Sequence, residues 1–192
     1  KDGQSPYADI EFRIAVSEAE VEDRYGWFFR RIEGETLPNI ARLAAACRGA
    51  GVEVIYTVIE SLTRDGRDRS LDYRITGFNV PRGSWDAKVL DAVAPAGDEI
   101  VLPKTSSNVF MSTTIDYLLR NLARRKLVVT GLVTDQCVNS AIRDACDLGY
   151  LVTMPVDACA TYSRERHEEA VRSLSGYCRQ LSTDELLAEL AR

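Results

Sequence analysis

The sequence predicts an α/β fold in which a mainly parallel sheet lies between two layers of helices, a three-layer α/β/α sandwich. Short runs of β-branched residues, such as VEVIYTVI at 52–59 and LVVT at 127–130, are typical of buried strands. Segments with a helical spacing of apolar residues alternate with these runs along the chain. Strands that alternate with helices form right-handed βαβ units, which cover both faces of a parallel sheet. The 192 residues, of which 45% are apolar, fit a single domain over residues 1–192.

The predicted elements follow one another in a regular order. Residues 1–35 lack a clear periodicity and are predicted to be irregular. Thr36 is placed to cap a helix that ends near Gly49. Further strands are predicted at 52–59, 99–102, 127–130 and 150–156, and further helices at 84–93, 113–124, 137–148, 164–174 and 183–191. The charged connection over 60–83 is either a solvated loop or a lid that faces the substrate.

The composition narrows the possible partners. Lys and Arg number 24 against 29 Asp and Glu, and the net charge of −5 argues against nucleic acid or an anionic membrane as a partner. No apolar run approaches the length of a membrane span. The five cysteines are odd in number and lack paired spacing, which favours a reduced, cytoplasmic protein and argues against a structural zinc cluster.

The chain contains one histidine, His167, within the polar segment SRERHEEA. Charged residues surround it in the helical register, so we predict a solvated surface side chain. The alternative is a catalytic base for a cysteine or serine nucleophile. A single histidine excludes a histidine-rich catalytic metal site within one chain, and no bound metal is expected.

A lysine and a cysteine are predicted at the same edge of the sheet. Lys104 follows a predicted strand in VLPKTSSNVF, and Cys137 begins the helix after the strand at 127–130. In α/β proteins ligands bind where the carboxyl ends of parallel strands meet. A helix N-terminus and a nearby ammonium both stabilise a thiolate, and free N–H groups at a helix start can bind an oxyanion. This pattern indicates a nucleophile, its cationic partner and a carbonyl-polarising group, but it supplies no general base.

The alternative interpretation is that Cys137 is a small buried residue and Lys104 a surface cation. The remaining cysteines are predicted to be core or surface residues: Cys47, Cys146, Cys159 and Cys178. No glycine-rich phosphate loop accompanies either segment, and no cofactor is expected.

Around these residues the chain resembles the isochorismatase-like cysteine hydrolases. GLVTDQCV at 131–138 matches the family pattern G-x-x-T-x-x-C-V, and VDACAT at 156–161 resembles its strand-end pattern D-A-x-A/S. The family pattern K-x(5)-F-x-x-T-x-x-D-x-x-x-R is matched by Lys104, Phe110, Thr113, Asp116 and Arg120. The match runs from about Val52 to Ala160, and the resemblance implies the Rossmann-like sheet of that family for the whole chain.

The resemblance implies an Asp–Lys–Cys triad in which Cys137 is the nucleophile and Lys104 its partner. The segment KDG at 1–3 looks like the end of the family's N-terminal aspartate motif. The triad aspartate is therefore expected upstream of Lys1, at the end of a first strand that precedes this sequence. Asp2 is the less favoured alternative.

The resemblance also implies where the substrate carbonyl is polarised. The oxyanion hole is expected at the backbone N–H groups of Val133 and Cys137. A non-proline cis peptide bond is expected beside it, between Leu132 and Val133.

The residues of this chain indicate which branch of the family it resembles most. Nicotinamidases of the family bind a metal through several histidines, which this chain lacks, and isochorismatases proper cleave a vinyl ether and typically lack the cysteine. The resemblance therefore implies a hydrolase that cleaves a C–N bond of a small amide, ureido or carbamoyl compound through a thioester and releases ammonia. Representative substrates are N-carbamoylsarcosine, ureidoacrylate and biuret. The alternatives are a vinyl-ether hydrolase and a non-catalytic scaffold or binding member.

Five residues are candidates for substrate binding: Glu60, Arg67, Tyr73, Asn108 and Phe110. Glu60 directly follows a strand and either accepts hydrogen bonds from a substrate NH₂ group or is an ordinary loop carboxylate. Arg67, or Arg69 near it, suits a carboxylate on the substrate. Members of the family often form dimers or tetramers, so a homo-oligomer is expected.

Overall fold

The computed structural model describes residues 18–191 and contains a parallel sheet system flanked by helices. The strands are β1 Ile55–Ile59, β2 Ile100–Lys104, β3 Lys126–Val128, β4 Gly131–Leu132, β5 Leu151–Pro155, β6 Cys159–Ala160 and β7 Arg179–Leu181. Every strand pair in this range is parallel, in the orders β1–β2, β3–β5–β7 and β4–β6.

The helices connect these strands and cover both faces of the sheet. They are α1 Glu18–Arg31, α2 Leu37–Gly49, α3 Leu71–Thr76, α4 Val109–Ser112, α5 Ile115–Asn121, α6 Asn139–Asp147, α7 Arg164–Ser173 and α8 Thr183–Leu190. None of the helices in the described range is both long and apolar enough to cross a bilayer.

Two apolar clusters lie on the two faces of the sheet. The larger one joins α4, α5 and α6 to β5 and includes the fully buried Ile142 and Met154. The smaller one joins α2 to α8 through Leu43 and Leu186. Helices therefore cover the sheet on both sides, and the predicted three-layer α/β/α architecture is confirmed.

The amino-terminal prediction was wrong where the structure describes it. Residues 18–31 form α1, and a π-helical turn over 32–36 carries the chain into α2 without a break. Thr36 is consequently helical and fully buried and makes no capping hydrogen bond. Because the chain is already helical before α2, the first turn of α2 has no free N–H group from which Thr36 could accept a hydrogen bond.

The other differences lie in the connections. Two short 3₁₀ turns, Trp85–Ala87 and Asp91–Val93, replace the helix predicted at 84–93. Trp85 is 75% exposed, so this segment has no apolar face to bury and no packing to stabilise a longer helix. The connection over 60–83 contains the unpredicted helix α3, and the short strand β7 was not predicted either.

Strand β5 offers a direct test of this packing. Met154 is completely buried in the larger cluster, whereas Leu151 of the same strand is 67% exposed. We expect Met154→Ala to lower the free energy of unfolding by about 2–5 kcal/mol, because it removes buried methylenes and leaves a cavity. Leu151→Ala should cost about 0.5 kcal/mol or less. Urea unfolding of both variants measures the difference, and equal losses would contradict the assigned core.

Candidate active site

The turn after β4 presents Cys137. Gly131 begins the turn with a φ of 117°, a backbone conformation that a side chain rarely adopts, which explains the glycine of the motif. The peptide bond between Leu132 and Val133 is cis, as the resemblance implied. Residues 134–138 form a π-helical turn, in which the Val133 carbonyl accepts hydrogen bonds from the N–H groups of Gln136 (3.1 Å) and Val138 (3.2 Å).

Lys104 is the last residue of β2 and is 4% exposed. Its Nζ donates to the backbone carbonyls of Ser106 (2.9 Å) and Ser107 (3.2 Å) and lies 3.3 Å from Cys137 Sγ. An ammonium has three N–H donors, and these three contacts use all of them. The structure thus brings together the lysine and the cysteine, which follow two different predicted strands in the sequence.

Within residues 18–191 no carboxylate forms an ion pair with Lys104. Burying an ammonium without a negative partner is costly. Cys137 is partly exposed, so its sulfur, which lies against this buried ammonium, is also open to a small molecule.

Two tyrosines lie near the thiol. Tyr73 of α3 is buried, and its hydroxyl is 3.3 Å from the Oγ of Ser107, a residue whose carbonyl also accepts a hydrogen bond from Lys104. Burial raises the pKa of Tyr73 to about 12, and the charge of Cys137 acts in the same direction. The pKa of Tyr162 is also raised to about 12, chiefly by burial and further by Cys137. Tyr73, a predicted substrate residue, therefore lies close to the reactive pair.

Tyr162 was missed by the sequence reasoning. It follows the VDACAT motif directly, and that position after a strand end was the available signal. Its ring packs on Phe28 of α1 at 5.2 Å between centroids, and the Arg166 guanidinium lies 5.2 Å from the ring centre. Helix α1 therefore contributes an aromatic ring that packs on Tyr162.

Three of the predicted substrate-binding residues contact other residues of the protein. Glu60 Oε1 accepts a hydrogen bond from Gly83 N at 2.7 Å. Asn108 caps α4 through Phe110 N (2.9 Å) and donates to Asp144 Oδ2 (2.7 Å). The Phe110 ring packs on the core at 6.0 Å from Tyr150. Their roles toward a substrate stay predictions, and these contacts supply a structural reason for each residue.

A basic cavity of about 610 Å³ lies in the connection after β1. It is lined by Leu62, Thr63, Arg64, Arg67, Arg82 and Gly83. Arg67 Nη1 pairs with Asp65 Oδ1 at 3.0 Å. Arg69, the other arginine considered, donates to the backbone carbonyls of Gly66 and Phe78 and serves the loop itself. In this connection Arg69 therefore stabilises the loop, whereas the other three arginines named here line the cavity.

The prediction of a solvated His167 was wrong. The imidazole is 7% exposed, with Nδ1 2.9 Å from Thr134 Oγ1 and Nε2 3.2 Å from Arg31 Nη2. Burial, and next the charge of Arg31, lower the pKa of His167 to about 4. The sequence could not indicate this environment, because both partners lie far from residue 167 along the chain. At neutral pH the ring is therefore uncharged.

Three of the other cysteines lie in surroundings that disfavour a thiolate. Cys159 is completely buried, and burial raises the pKa of its thiol to about 12. Burial also raises the pKa of Cys47 and of Cys178. These shifts disfavour the reactive thiolate, as expected for packing residues.

Two further expectations concern the alternative triad residue and a bound metal. Asp2, the alternative triad residue, lies outside the described residues. Within residues 18–191 no group of three or more His, Cys, Asp and Glu side chains is arranged to hold a metal ion.

The comparison with known sequences decides the family. The Isochorismatase domain profile matches residues 33–185, which include the Lys104 segment and the complete Cys137 turn. The chain belongs to the isochorismatase family. Family membership accounts for the shared motifs and for the parallel sheet on which they lie.

Among its isochorismatase-family relatives are two ureidoacrylate amidohydrolases named RutB. The one from Rhizobium rhizogenes is 32% identical over 139 residues, which cover 64% of this chain and 56% of that enzyme. The one from Pantoea ananatis is 30% identical over 169 residues, covering 74% and 68%. The first match thus spans little more than half of the relative's length.

A solved structure gives the same assignment of the fold. An isochorismatase family protein from Desulfovibrio vulgaris superposes with a TM-score of 0.74 at 29% identity, and the match covers 83% of this chain and 87% of that one. The parallel sheet and its helical layers are therefore those of the isochorismatase family.

The contact between Lys104 and Cys137 predicts how the thiol reacts. Lys104→Met should slow the alkylation of Cys137 by iodoacetamide at neutral pH about tenfold, because it removes the charged donor that stabilises the thiolate. Peptide mapping by mass spectrometry follows Cys137 separately from the other thiols. Lys88→Met, which replaces an exposed lysine, is the control. An unchanged rate in Lys104→Met would contradict the assigned pair.

Proposed function

We propose that this protein hydrolyses a C–N bond of a small amide, ureido or carbamoyl compound, with Cys137 as the nucleophile. The observation that carries the proposal is the 3.3 Å contact between the Lys104 ammonium and Cys137 Sγ at the carboxyl end of the sheet. The C–N specificity is supported by the RutB relatives, which are named as ureidoacrylate amidohydrolases. Because the first of these matches covers 56% of the relative, the activity is inferred from the site as well as from the likeness.

The proposed reaction forms and then hydrolyses a thioester. The Cys137 thiolate attacks the substrate carbonyl, and the backbone N–H groups of Val133 and Cys137 stabilise the oxyanion. The C–N bond breaks as a general acid protonates the leaving nitrogen, and ammonia departs. Water then attacks the thioester, releases the acyl product and restores the thiol. Lys104 stabilises the thiolate at the beginning and the end of this cycle.

The acid–base group is proposed to be an aspartate outside the described residues, either upstream of Lys1 or Asp2. The edges of two strands support this assignment. Within the described range β1 pairs with β2 alone and β3 with β5 alone, so each has one unpaired edge. Glu53 precedes β1 and Arg124 precedes β3, and their ion pair at 3.8 Å shows that the two strands begin near each other. A further parallel strand between β1 and β3 would end at the same sheet edge as Lys104.

The cavity after β1 supports an anionic substrate. Arg64 and Arg82 form no ion pair with residues 18–191, while Asp68 is held by the N–H groups of Leu62 and Thr63. The cavity lining does not include Lys104 or Cys137, but two hydrogen bonds connect it to β2: Gly83 N donates to Glu60, and Glu60 N donates to the Lys104 carbonyl at 3.1 Å. Guanidinium groups bind carboxylates well, so we propose a ureido or amide compound that carries a carboxylate.

The nucleophile is tested by ammonia release from a panel of ureido and amide compounds. Cys137→Ala should lower the rate about 10³-fold or more, because no other group can form the thioester. Cys146→Ala, which removes a partly exposed thiol of α6, should leave the rate within about twofold. The experiment uses the protein with its natural N-terminus. An undiminished rate in Cys137→Ala would exclude the cysteine mechanism, and no turnover of the panel by the unaltered protein would favour a vinyl-ether hydrolase or a non-catalytic member.

The substrate charge is tested at Arg82. Arg82→Ala should raise KM for a carboxylate-bearing ureido substrate about tenfold and leave KM for its neutral amide analogue nearly unchanged, because one charged hydrogen bond is lost. Arg74→Ala is the matched control, since Arg74 is an exposed arginine of the same connection that does not line the cavity. Equal effects of Arg82→Ala on the two substrates would refute a charge-specific role.

A further inference from the structure

A buried polar chain connects three distant parts of the sequence beneath the Cys137 turn. His167 of α7 lies between Thr134, the first residue of the turn, and Arg31 at the end of α1. Thr134 is fully buried and His167 is nearly so. Buried polar groups of this kind are costly unless each is paired, so the contacts fix the geometry of all three residues.

The imidazole of His167 has partners at both ring nitrogens. Nδ1 lies within hydrogen-bond distance of Thr134 Oγ1, at 2.9 Å. Nε2 lies 3.2 Å from Arg31 Nη2, which can only donate, and the ring also forms a hydrogen bond with the backbone of Val156. The charged groups around the ring are Arg31, Glu35, which pairs with Arg31 at 2.6 Å, and Asp135 of the turn. A protonated imidazole would face the Arg31 guanidinium as a like charge.

Arg31 is itself firmly placed. Its guanidinium donates to the carbonyls of Cys159 (3.1 Å) and Val156 (3.2 Å), which belong to the strand-end motif VDACAT. Helix α7 holds the turn at a second point, because Arg166 Nε donates to Asp135 Oδ2 at 2.8 Å. Consecutive residues of the turn, Thr134 and Asp135, are thus both tied to α7.

We propose that His167 is a positioning residue that fixes Thr134 and thereby the oxyanion-binding turn from Val133 to Cys137. The proposal rests on the proposed hydrolase function for its effect on rate. Thr134 follows Val133 directly, so a displaced Thr134 moves the Val133 N–H, whereas Cys137 Sγ at the other end is held independently by Lys104. A small displacement of an oxyanion donor is expected to reduce catalysis strongly and substrate binding little.

The kinetic test compares His167→Leu, Thr134→Val and the double variant. Each single variant should lower kcat for ammonia release about tenfold with KM within about threefold, and the double variant should be no worse than the poorer single one. Iodoacetamide alkylation of Cys137, which needs no oxyanion hole, should stay within about threefold of the unaltered rate. His167→Gln, which keeps a donor and an acceptor, should recover most of the activity.

Leu186→Ala is the control for lost stability, because Leu186 is a buried residue of the other apolar cluster. It should reduce stability without lowering kcat of the folded protein. The proposal is overturned if His167→Leu lowers kcat no more than Leu186→Ala does, or if the losses in His167→Leu and Thr134→Val simply multiply in the double variant.

A second measurement needs no substrate and separates this proposal from the proposed function. Because the chain has one histidine, an imidazole ¹⁵N spectrum contains a single ring. The ring should be neutral and should not titrate between pH 5 and 8, and Thr134→Val should shift the Nδ1 resonance. A ring that titrates near 6.5, or that does not respond to Thr134→Val, would overturn the link even if the protein is an active hydrolase. Should the protein hydrolyse no amide, the hydrolase proposal fails while this spectrum still decides the link.

Discussion

The buried ammonium of Lys104 is the constraint on which the rest of the site depends. A lysine with 4% exposure is stable only where its donors are matched and its charge is compensated. The loop after β2 supplies two carbonyls, and the turn after β4 supplies the sulfur. The sheet must therefore bring these two strand ends together and hold them still. The parallel arrangement does so because it collects all strand ends at one edge.

The fold was predictable because its signals are local. Alternating β-branched runs and amphipathic helices indicate a parallel sheet whatever the details of packing, and the Lys104 and Cys137 segments carry recognisable motifs at strand ends. Helix α1 was not predictable in this way. Charged residues dominate its sequence and obscure the helical spacing of Val21, Tyr25 and Phe28. The partners of its aromatic residues, Tyr162 and His167, lie far along the chain.

His167 shows why the environment of the site was harder to predict than its reactive residues. Its sequence neighbours are charged, and a helical wheel places it on a polar surface. The structure buries the ring because Thr134 and Arg31 approach it from positions 33 and 136 residues away. Such partners are visible only after folding. Tyr162 illustrates the same point, since its distance from Cys137 depends on how β6 lies beside β4.

The saturated ammonium has a consequence for how substrates can be recognised. Because all three N–H groups of Lys104 already have acceptors within the protein, none is left over to bind a substrate oxygen. In the proposed reaction the main-chain N–H groups of Val133 and Cys137 polarise the carbonyl instead. The proposed function then divides the work between two parts of the chain: the turn and Lys104 carry the reaction, and the arginines that line the cavity of the 60–83 connection select the substrate. Substitution of those arginines would change the accepted molecule while the turn and the lysine remain the same.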